Sequence, residues 1–398
     1  MQHTQEAQLT QLPPPEPEAL ALSRQLLGQI RQAAGADGLL PFDRFMELAL
    51  YAPGLGYYAN GLETFGAAGD FITAPELSPL FGRCLARQTA EVLEAMGGGD
   101  VLEFGAGSGR LALDLLAELD RLGQLPRRYC ILELSARLRA QQQALLGRQR
   151  PDLYPRLNWL ERLPEGFCGV MLANEVVDAM PVSRFCLPPP TPAAAPMPPP
   201  LEQFVDLRRD APQLCWRPLT SPGLAEPLTH LTRRYRLAAG YESEINLRAG
   251  AWLEALGQSL RRGLLLIIDY GYNGQEFYHP QRRQGSLICH YRHRAHDDPL
   301  LWPGLQDISA NVDFSALAEA ASAAGFDSQA FTSQAYFLLA NGIQQLIEPA
   351  DGPRRVVDLQ AVKQLTLPNE MGERFKVLGL GKGLDRLPQG FALRSYAL

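Results

Sequence analysis

The chain lacks an apolar run long enough to cross a membrane and lacks an excess of basic residues. A membrane-spanning helix needs roughly 20 consecutive apolar residues, and no such run occurs in the 398 residues. Lys and Arg number 37 against 43 Asp and Glu, so the net charge is -6. General nucleic-acid binding depends on clustered positive charge. We therefore expect neither a membrane span nor a nucleic-acid partner.

Signals for secretion and for disulfide or zinc chemistry are also missing. The first 20 residues are rich in Gln and Pro and lack the basic region and apolar stretch of a secretory signal. We interpret residues 1–20 as a disordered leader and expect a cytoplasmic protein. No pair of cysteines has C-x-x-C spacing, so we expect small buried side chains in a reducing compartment. The six cysteines are Cys84, Cys130, Cys168, Cys186, Cys215 and Cys289.

Apolar runs alternate with helical patterns from about residue 98 onward. A strand–loop–helix unit is predicted over 100–120, and helices over 136–148 and 248–262. Three further apolar runs read as strands: "YCILELS", "GVMLANEVVDAMPV" and "GLLLIIDYGY". Buried strands separated by helices predict an α/β fold with a mostly parallel, doubly wound sheet.

A Pro-rich segment, "PPPTPAAAPMPPP" at 188–200, interrupts this pattern. Proline at this density can neither join a sheet interior nor continue a helix, so it predicts a surface insertion, with partner docking as the alternative. The predicted organisation follows from it. We expect a helical and loop region at 21–97, followed by the first part of the core at 98–185. An inserted lobe is expected at 186–247, and the second part of the core with the C-terminal region at 248–398.

A glycine-rich stretch, "VLEFGAGSGRLALDLL", follows the first predicted core strand. Gly105, Gly107 and Gly109 allow close approach of a ligand to the backbone. No lysine follows the glycines, which argues against a Walker loop, and the G-x-G-x-G spacing differs from the dinucleotide pattern. Taken alone, the stretch is equally consistent with a purely structural turn.

Two acidic residues narrow the choice of ligand. Glu133 ends the second predicted strand, where a carboxylate can accept hydrogen bonds from both ribose hydroxyls. Glu103 lies two residues before Gly105 and would repel a pyrophosphate but favour a cationic amino group. The ligand that fits this pair is S-adenosylmethionine, which carries adenosine, an ammonium and a sulfonium but no phosphate.

Polar residues also end the third and fourth predicted strands. Asn174, Glu175 and Asp178 in "ANEVVDAMPV" would form a polar wall facing the transferred methyl group and its acceptor. The alternative is that Asp178 caps the next segment. Asp269 and Tyr270 in "IIDYG" are open to two interpretations, a strand-terminal hydrogen bond or a role in the site.

The segment "HYRHRAHDDP" at 290–299 contains three histidines at intervals of three. Together with Asp297, His290, His293 and His296 could resemble a metal site, but no helix or strand pattern places them on one face. We therefore predict no metal and interpret the segment as a solvated basic loop, or one that holds an acidic partner surface.

Beyond these motifs, the chain resembles the MidA-like family of S-adenosylmethionine-dependent methyltransferases from about residue 25 to its end. The stretches that carry the resemblance include "ALYAPGLGYY", "GDFITAPELSPLFG", "LEFGAGSGRLA", "ILELSARLRAQQ", "ANEVVDAMPV" and "QDISANVDFSAL". The resemblance implies a Rossmann-like class I methyltransferase core with an N-terminal helical extension and an inserted lobe. It also implies that Gly69, Asp70, Phe71 and Thr73 lie by the cofactor.

The resemblance implies methyl transfer to a protein arginine, since the family includes a mitochondrial arginine methyltransferase of complex I assembly. It suggests a protein partner such as a respiratory-complex subunit. We expect Glu175 and Asp178 to hold the guanidinium, with Asn174 orienting it and contacting the cofactor. Two departures are Gly-Ala-Gly-Ser-Gly for the common Gly-Pro-Gly-Arg-Gly, and Asn311 where His is common. A small-molecule methyltransferase and a non-catalytic assembly factor remain the alternatives.

Overall fold

The computed structural model describes residues 12–62, 73–189, 198–347, 353–386 and 388–398. The chain forms two compact units. The first comprises Met1–Phe71, Ala179–Ala249 and Gly274–Asn311, and the second comprises Ile72–Asp178, Gly250–Asn273 and Val312–Leu398.

The helices are, in chain order, α1 (Pro17–Ala33), α2 (Phe42–Tyr51), α3 (Ala74–Leu77), α4 (Pro79–Met96), α5 (Arg110–Arg121), α6 (Ala136–Gln149), α7 (Ala225–Arg234), α8 (Leu247–Ser259), α9 (Gly274–Phe277), α10 (Phe314–Ala323), α11 (Gln334–Ala340), α12 (Pro353–Thr366) and α13 (Met371–Arg374). Short 3-10 turns lie at Tyr154–Arg156, Ile343–Leu346 and Gln389–Phe391.

The strands are β1 (Leu39–Pro41), β2 (Asp100–Phe104), β3 (Tyr129–Leu132), β4 (Leu157–Leu160), β5 (Phe167–Asn174), β6 (Ser183–Leu187), β7 (Leu201–Asp206), β8 (Gln213–Pro218), β9 (Tyr241–Ile245), β10 (Leu260–Tyr272), β11 (Ile288–Tyr291), β12 (Arg294–His296), β13 (Asp307–Ser309), β14 (Val312–Asp313), β15 (Ser328–Ser333) and β16 (Phe375–Lys382).

The first unit contains two small antiparallel sheets. One has five strands in the order β1-β7-β6-β9 with β8 beside β7, and the other has the order β12-β11-β13. The Pro-rich segment connects the neighbouring strands β6 and β7, and residues 190–197 of it lie outside the described residues. Strand β1 lies inside the region 21–97 that was predicted to be helices and loops, and α1 begins at Pro17, inside the predicted leader.

The second unit contains an eight-stranded sheet in the order β15-β16-β10-β5-β2-β3-β4, with β14 beside β10. Strands β4, β3, β2, β5 and β10 run parallel, and β16 is antiparallel to both β10 and β15. The predicted α/β fold with a mostly parallel sheet is confirmed. Because parallel strands end at the same edge, Phe104, Leu132 and Asn174 bring the residues that follow them to one edge of the sheet.

Local sequence signals explain where the helices around this sheet begin and end. Ser78 accepts a hydrogen bond from the Leu80 N–H at the start of α4, and Gly97 ends that helix in the left-handed conformation. Ser135 caps α6 in the same way, which agrees with the predicted helix over 136–148. The predicted helix over 248–262 is too long, because α8 ends at Ser259 and passes directly into β10 with neither Gly nor Pro at the junction.

The segment predicted as a basic loop at 290–299 is partly a β-hairpin, so the loop prediction is wrong there. Strands β11 and β12 pair through Tyr291 and Arg294, and the turn residues Arg292 and His293 both have positive φ. Such turns usually carry Asn or Gly, so the sequence held no standard hairpin signal.

Within the described part of the chain, no helix combines the length and apolar character needed to span a membrane. All six cysteines are free.

Candidate functional site

The glycine loop connects β2 to α5 and adopts a conformation that requires glycine. Gly105, Gly107 and Gly109 all have positive φ, at 58°, 52° and 85°. Gly105 is exposed, and its N–H donates to the Leu132 carbonyl at 3.0 Å. A Cβ on Gly109 would lie 3.3 Å from Gln142 Cγ, which is tighter than most real contacts. Gly105 therefore exposes backbone at the carboxyl edge of the sheet, while Ala106 and Gly109 are buried.

Helix α3 is bonded to this loop. The Ser108 hydroxyl donates to the Glu76 carboxylate, and Thr73 immediately precedes α3. Thr73, predicted to lie by the cofactor, thus belongs to a segment held against the glycine loop. The other three residues of that prediction, Gly69, Asp70 and Phe71, lie outside the described residues. Glu76 was not singled out from the sequence.

Glu133 follows β3 and its carboxylate is held in a defined orientation. One oxygen accepts from the Ser135 N–H at 2.9 Å, and the other accepts from Gln142 Nε2 at 3.1 Å. Burial raises the pKa of this carboxyl, while the hydrogen bonds from Ser135 and Gln142 oppose the rise. Each carboxylate oxygen has two acceptor sites, so both can still accept a further hydrogen bond.

Gln142 connects the carboxylate to the glycine loop, a role that sequence reasoning missed. It is fully buried, and its Nε2 donates to the Gly107 carbonyl at 3.0 Å as well as to Glu133. Its Oε1 accepts from Trp159 Nε1 at 3.0 Å. All of its hydrogen-bonding groups are engaged, so the side chain holds the loop and the carboxylate at a fixed separation.

Leu134 is an apolar side chain that the fold leaves outside the core. It directly follows Glu133 and is 80% exposed. An exposed leucine beside a buried, oriented carboxylate offers an apolar face to a ligand that the carboxylate binds. The only signal in the sequence was its position between Glu133 and Ser135.

Glu103 lies in the interior of β2 rather than on the open loop. It is 2% exposed, and its carboxyl accepts a hydrogen bond from the Tyr129 hydroxyl at 2.7 Å. Burial raises its pKa to about 7; the Tyr129 hydrogen bond opposes this and the Glu133 charge adds to it. Its predicted contact with a cationic amino group stays a prediction.

We expect Glu103→Gln to change how stability depends on pH. The folded-state pKa of about 7 exceeds the ordinary 4.5, so this carboxyl contributes stability below pH 4.5 that is lost as the pH rises through 7. Glutamine keeps the acceptor for Tyr129 but has no charge to bury. At pH 8 the variant should be more stable than wild type by about 3 kcal/mol, and at pH 4 the two should be similar. Urea unfolding at both values measures this. An unchanged difference between pH 4 and pH 8 would show that Glu103 does not titrate in this range.

Asn174 and Glu175 meet at the end of β5. Asn174 Nδ2 donates to Glu175 Oε1 at 3.2 Å, whereas the buried Asn174 Oδ1 has no hydrogen-bond partner within the described residues. Glu175 has φ 54°, a conformation that costs a non-glycine residue about 1–3 kcal/mol. A strained acid beside an unsatisfied amide oxygen is characteristic of a ligand site.

Asp269, three residues before the end of β10, positions the chain that follows Glu175. Its carboxylate accepts from the N–H groups of Val177 and Asp178 at 3.0 and 3.2 Å and of Tyr270 at 2.9 Å. Burial, followed by the Glu175 charge, raises the pKa of Asp269. The hydrogen-bonding interpretation of Asp269 is therefore confirmed, and the bonds reach across to the neighbouring strand.

The two halves of the site lie side by side. A Cβ on Gly105 would be 3.5 Å from Val176 Cγ2, so the segment after β5 contacts the glycine loop. The structure thus brings Gly105 and Gly107 together with Glu133, Asn174, Glu175 and Asp178 at one edge of the sheet, while Glu103 lies beneath them.

The histidine segment contributes no metal ligands that the structure shows. Across β11 and β12, His296 is opposite Cys289 and His290 is opposite Ala295, so these two histidines lie on opposite faces of the hairpin. Within the described residues, no group of three or more His, Cys, Asp and Glu could hold a metal ion.

Curated relatives match nearly the whole chain. The protein arginine methyltransferase NDUFAF7 homolog of Drosophila melanogaster is 27% identical, with 94% of this chain and 91% of that protein covered. The human protein arginine methyltransferase NDUFAF7 is 28% identical, with 92% of this chain and 85% of that protein covered. Both are described as mitochondrial.

Solved structures from Burkholderia thailandensis are more similar. One, bound to S-adenosyl-homocysteine, is 43% identical, has a TM-score of 0.90 and covers 97% of this chain and 99% of its own. A second, native structure of the same superfamily has a TM-score of 0.87 at 43% identity.

A family model described as "Putative S-adenosyl-L-methionine-dependent methyltransferase" matches residues 84–332, which is more than half of the chain. The match includes the glycine loop, Glu133 and the segment after β5. It confirms the predicted family and its cofactor, S-adenosyl-L-methionine. The chain therefore belongs to this family of S-adenosyl-L-methionine-dependent methyltransferases.

Proposed function

We propose that this protein transfers a methyl group from S-adenosyl-L-methionine to a guanidinium nitrogen of a protein arginine. The observation that carries the proposal is the group of acids just after β5 and near the end of β10, next to the glycine loop. Glu175 and Asp178 lie within two residues of Val176, which is next to Gly105. Asp269 accepts hydrogen bonds from the N–H groups of Val177 and Asp178. Relatives named as protein arginine methyltransferases support the same acceptor.

The residues present suit the cofactor. Glu133 has acceptor sites left for two ribose hydroxyls, and exposed Leu134 offers an apolar face to the adenine. The unsatisfied Asn174 Oδ1 can accept from a polar hydrogen of the ligand. When bound, the cofactor supplies an electrophilic methyl group on a sulfonium. Gly69, Asp70, Phe71 and Thr73 are proposed to complete its surroundings.

The acids would bind the acceptor. An arginine guanidinium is nearly always protonated and pairs bidentately with carboxylates. We assign Glu175 and Asp178 to this contact, with Asn174 orienting Glu175 through its 3.2 Å hydrogen bond. Holding the charge on the two nitrogens away from the attacking one leaves a terminal nitrogen directed at the methyl group, about 3 Å from it at the point of attack. As the new N–C bond forms, S-adenosyl-homocysteine leaves, and the proton released from that nitrogen passes to a site carboxylate or to water.

Methyl transfer into cell extract tests the proposal. The purified full chain, incubated with methyl-labelled cofactor and extract from cells lacking the protein, should label one or a few protein bands. Mass spectrometry of those bands should locate methylarginine. Glu165→Gln, which alters an exposed acid of the same unit, should label them equally.

Other outcomes identify the rivals. Label found only in small molecules would replace the protein acceptor with a metabolite. Absence of label from a protein that binds S-adenosyl-homocysteine in calorimetry would indicate a non-catalytic assembly factor. Methyl-lysine in place of methylarginine would retain the enzyme class but contradict the arginine assignment.

A further inference from the structure

A cavity of about 480 Å³ lies at the amino-terminal edge of the eight-stranded sheet, opposite the edge that carries Glu133 and Glu175. It is lined by side chains or backbone next to the starts of β2, β3, β5 and β10 and the end of β16. Three of its lining residues are arginines, Arg127, Arg261 and Arg262, and none is acidic. The mechanism proposed above uses none of them.

A β-bulge brings two of these arginines to the same cavity. Leu260 pairs with Phe167 and Arg262 pairs with Cys168, so Arg261 is an extra residue in β10. Consecutive side chains of a regular strand point to opposite faces, whereas a bulge redirects one of them. Both Arg261 and Arg262 consequently line the cavity.

The guanidinium groups of Arg261 and Arg262 are positioned by hydrogen bonds from their Nε atoms. Arg261 Nε donates to Cys168 Sγ at 3.2 Å, and Arg262 Nε donates to the Gly383 carbonyl at 3.1 Å. Arg127 lies over Gly98, where an added Cβ would be 3.6 Å from an Arg127 terminal nitrogen. The terminal nitrogens of all three make no hydrogen bond within the described residues, so they keep their donors for a ligand.

None of the three arginines forms an ion pair with another described residue. The neighbouring residue Arg128 does. Arg128 Nη2 lies 2.6 Å from Asp100 Oδ2. Asp327, which contacts the lining residue Gly383, accepts a hydrogen bond from the Gly383 N–H at 2.7 Å. Three like charges around one cavity repel one another unless an anion is placed between them.

We propose that this cavity binds a small molecule carrying a phosphate group. Arginine forks match the geometry of phosphate oxygens and bind them bidentately. The volume falls within the range of small-molecule sites and exceeds the size of a bare phosphate, and Met96 gives the organic part an apolar contact. This ligand differs from the methyl donor, which has no phosphate, and it binds at the other edge of the sheet.

Calorimetric titration with inorganic pyrophosphate tests the proposal on the full chain at about 50 mM salt. We expect saturable binding by wild type and at least about 10-fold weaker binding by Arg261→Gln/Arg262→Gln. The matched control is Arg148→Gln/Arg374→Gln, because both are exposed arginines without an ion pair in the described structure. It should bind like wild type. The single variant Arg127→Gln should also weaken binding, and it leaves the bulge intact.

Three results would overturn the assignment. The first is the absence of saturable binding by a wild-type protein with a normal melting curve. The second is an equal loss of affinity in the cavity variant and the control, which would indicate diffuse charge. The third is tighter binding of a single-stranded oligonucleotide than of pyrophosphate, which would indicate a nucleic-acid surface. None of these results depends on methyl transfer.

Discussion

Glu175→Gln should lower kcat/KM for methyl transfer about 100- to 1000-fold while cofactor affinity changes little. Glutamine has the same shape and still accepts the 3.2 Å hydrogen bond from Asn174 Nδ2. It cannot carry the negative charge that pairs with a guanidinium, and removing such a charge-assisted contact costs about 3–4 kcal/mol in the transition state. Initial rates of label transfer into the acceptor protein measure the loss.

The controls separate chemistry from structure. Glu165→Gln, an exposed acid before β5, should retain wild-type turnover. Melting temperatures should agree between wild type and Glu175→Gln, because both side chains bear the same backbone strain at φ 54°. If Glu175→Gln and Asp178→Asn both turned over at the wild-type rate, these acids would not bind the acceptor.

Glu133→Ala should weaken binding of S-adenosyl-homocysteine about 100-fold. The substitution removes two charge-assisted hydrogen bonds between the carboxylate and the ribose hydroxyls. Together these bonds contribute about 3 kcal/mol to cofactor binding. The change also removes the acceptor of Gln142 Nε2, so the glycine loop loses one of its supports. Calorimetric titration with S-adenosyl-homocysteine measures the affinity directly.

The matched control for Glu133 is Glu161→Gln. Glu161 follows β4 as Glu133 follows the neighbouring strand β3, but its side chain is 86% exposed. We expect wild-type affinity from this variant. Glu133→Asp, which keeps the charge but shortens the side chain, should give an intermediate loss if reach to the ribose matters. Unchanged affinity in both Glu133 variants would remove this residue from the cofactor site.

Features encoded by adjacent residues were predictable from the sequence. The glycine loop, the helix predicted over 136–148 and the acid at the end of β3 each depend on a few neighbouring residues. The α/β sheet followed from the alternation of apolar runs with helices. Because these signals are local, they can be recognised without knowledge of tertiary packing.

Contacts between distant residues were not predictable. The Tyr129 bond to Glu103 depends on the β2–β3 register, which aligns Val101 with Tyr129. Gln142 reaches Glu133 and Gly107 only because α6 packs back over the loop. Glu175, Arg292 and His293 have positive φ, although none is a residue type that usually adopts it. Their residue types therefore gave no indication of this backbone conformation. Register and packing decide each of these, and the sequence pattern alone specifies neither.

The backbone at Glu175 also sets stability and reactivity against each other in protein engineering. Glycine adopts φ 54° without the steric cost that glutamate bears there. A library selected for heat resistance alone would therefore be drawn toward glycine at position 175, and would discard the carboxylate assigned to the acceptor. Selections on this scaffold need an activity screen in each round, because selection for thermal resistance alone favours loss of this carboxylate.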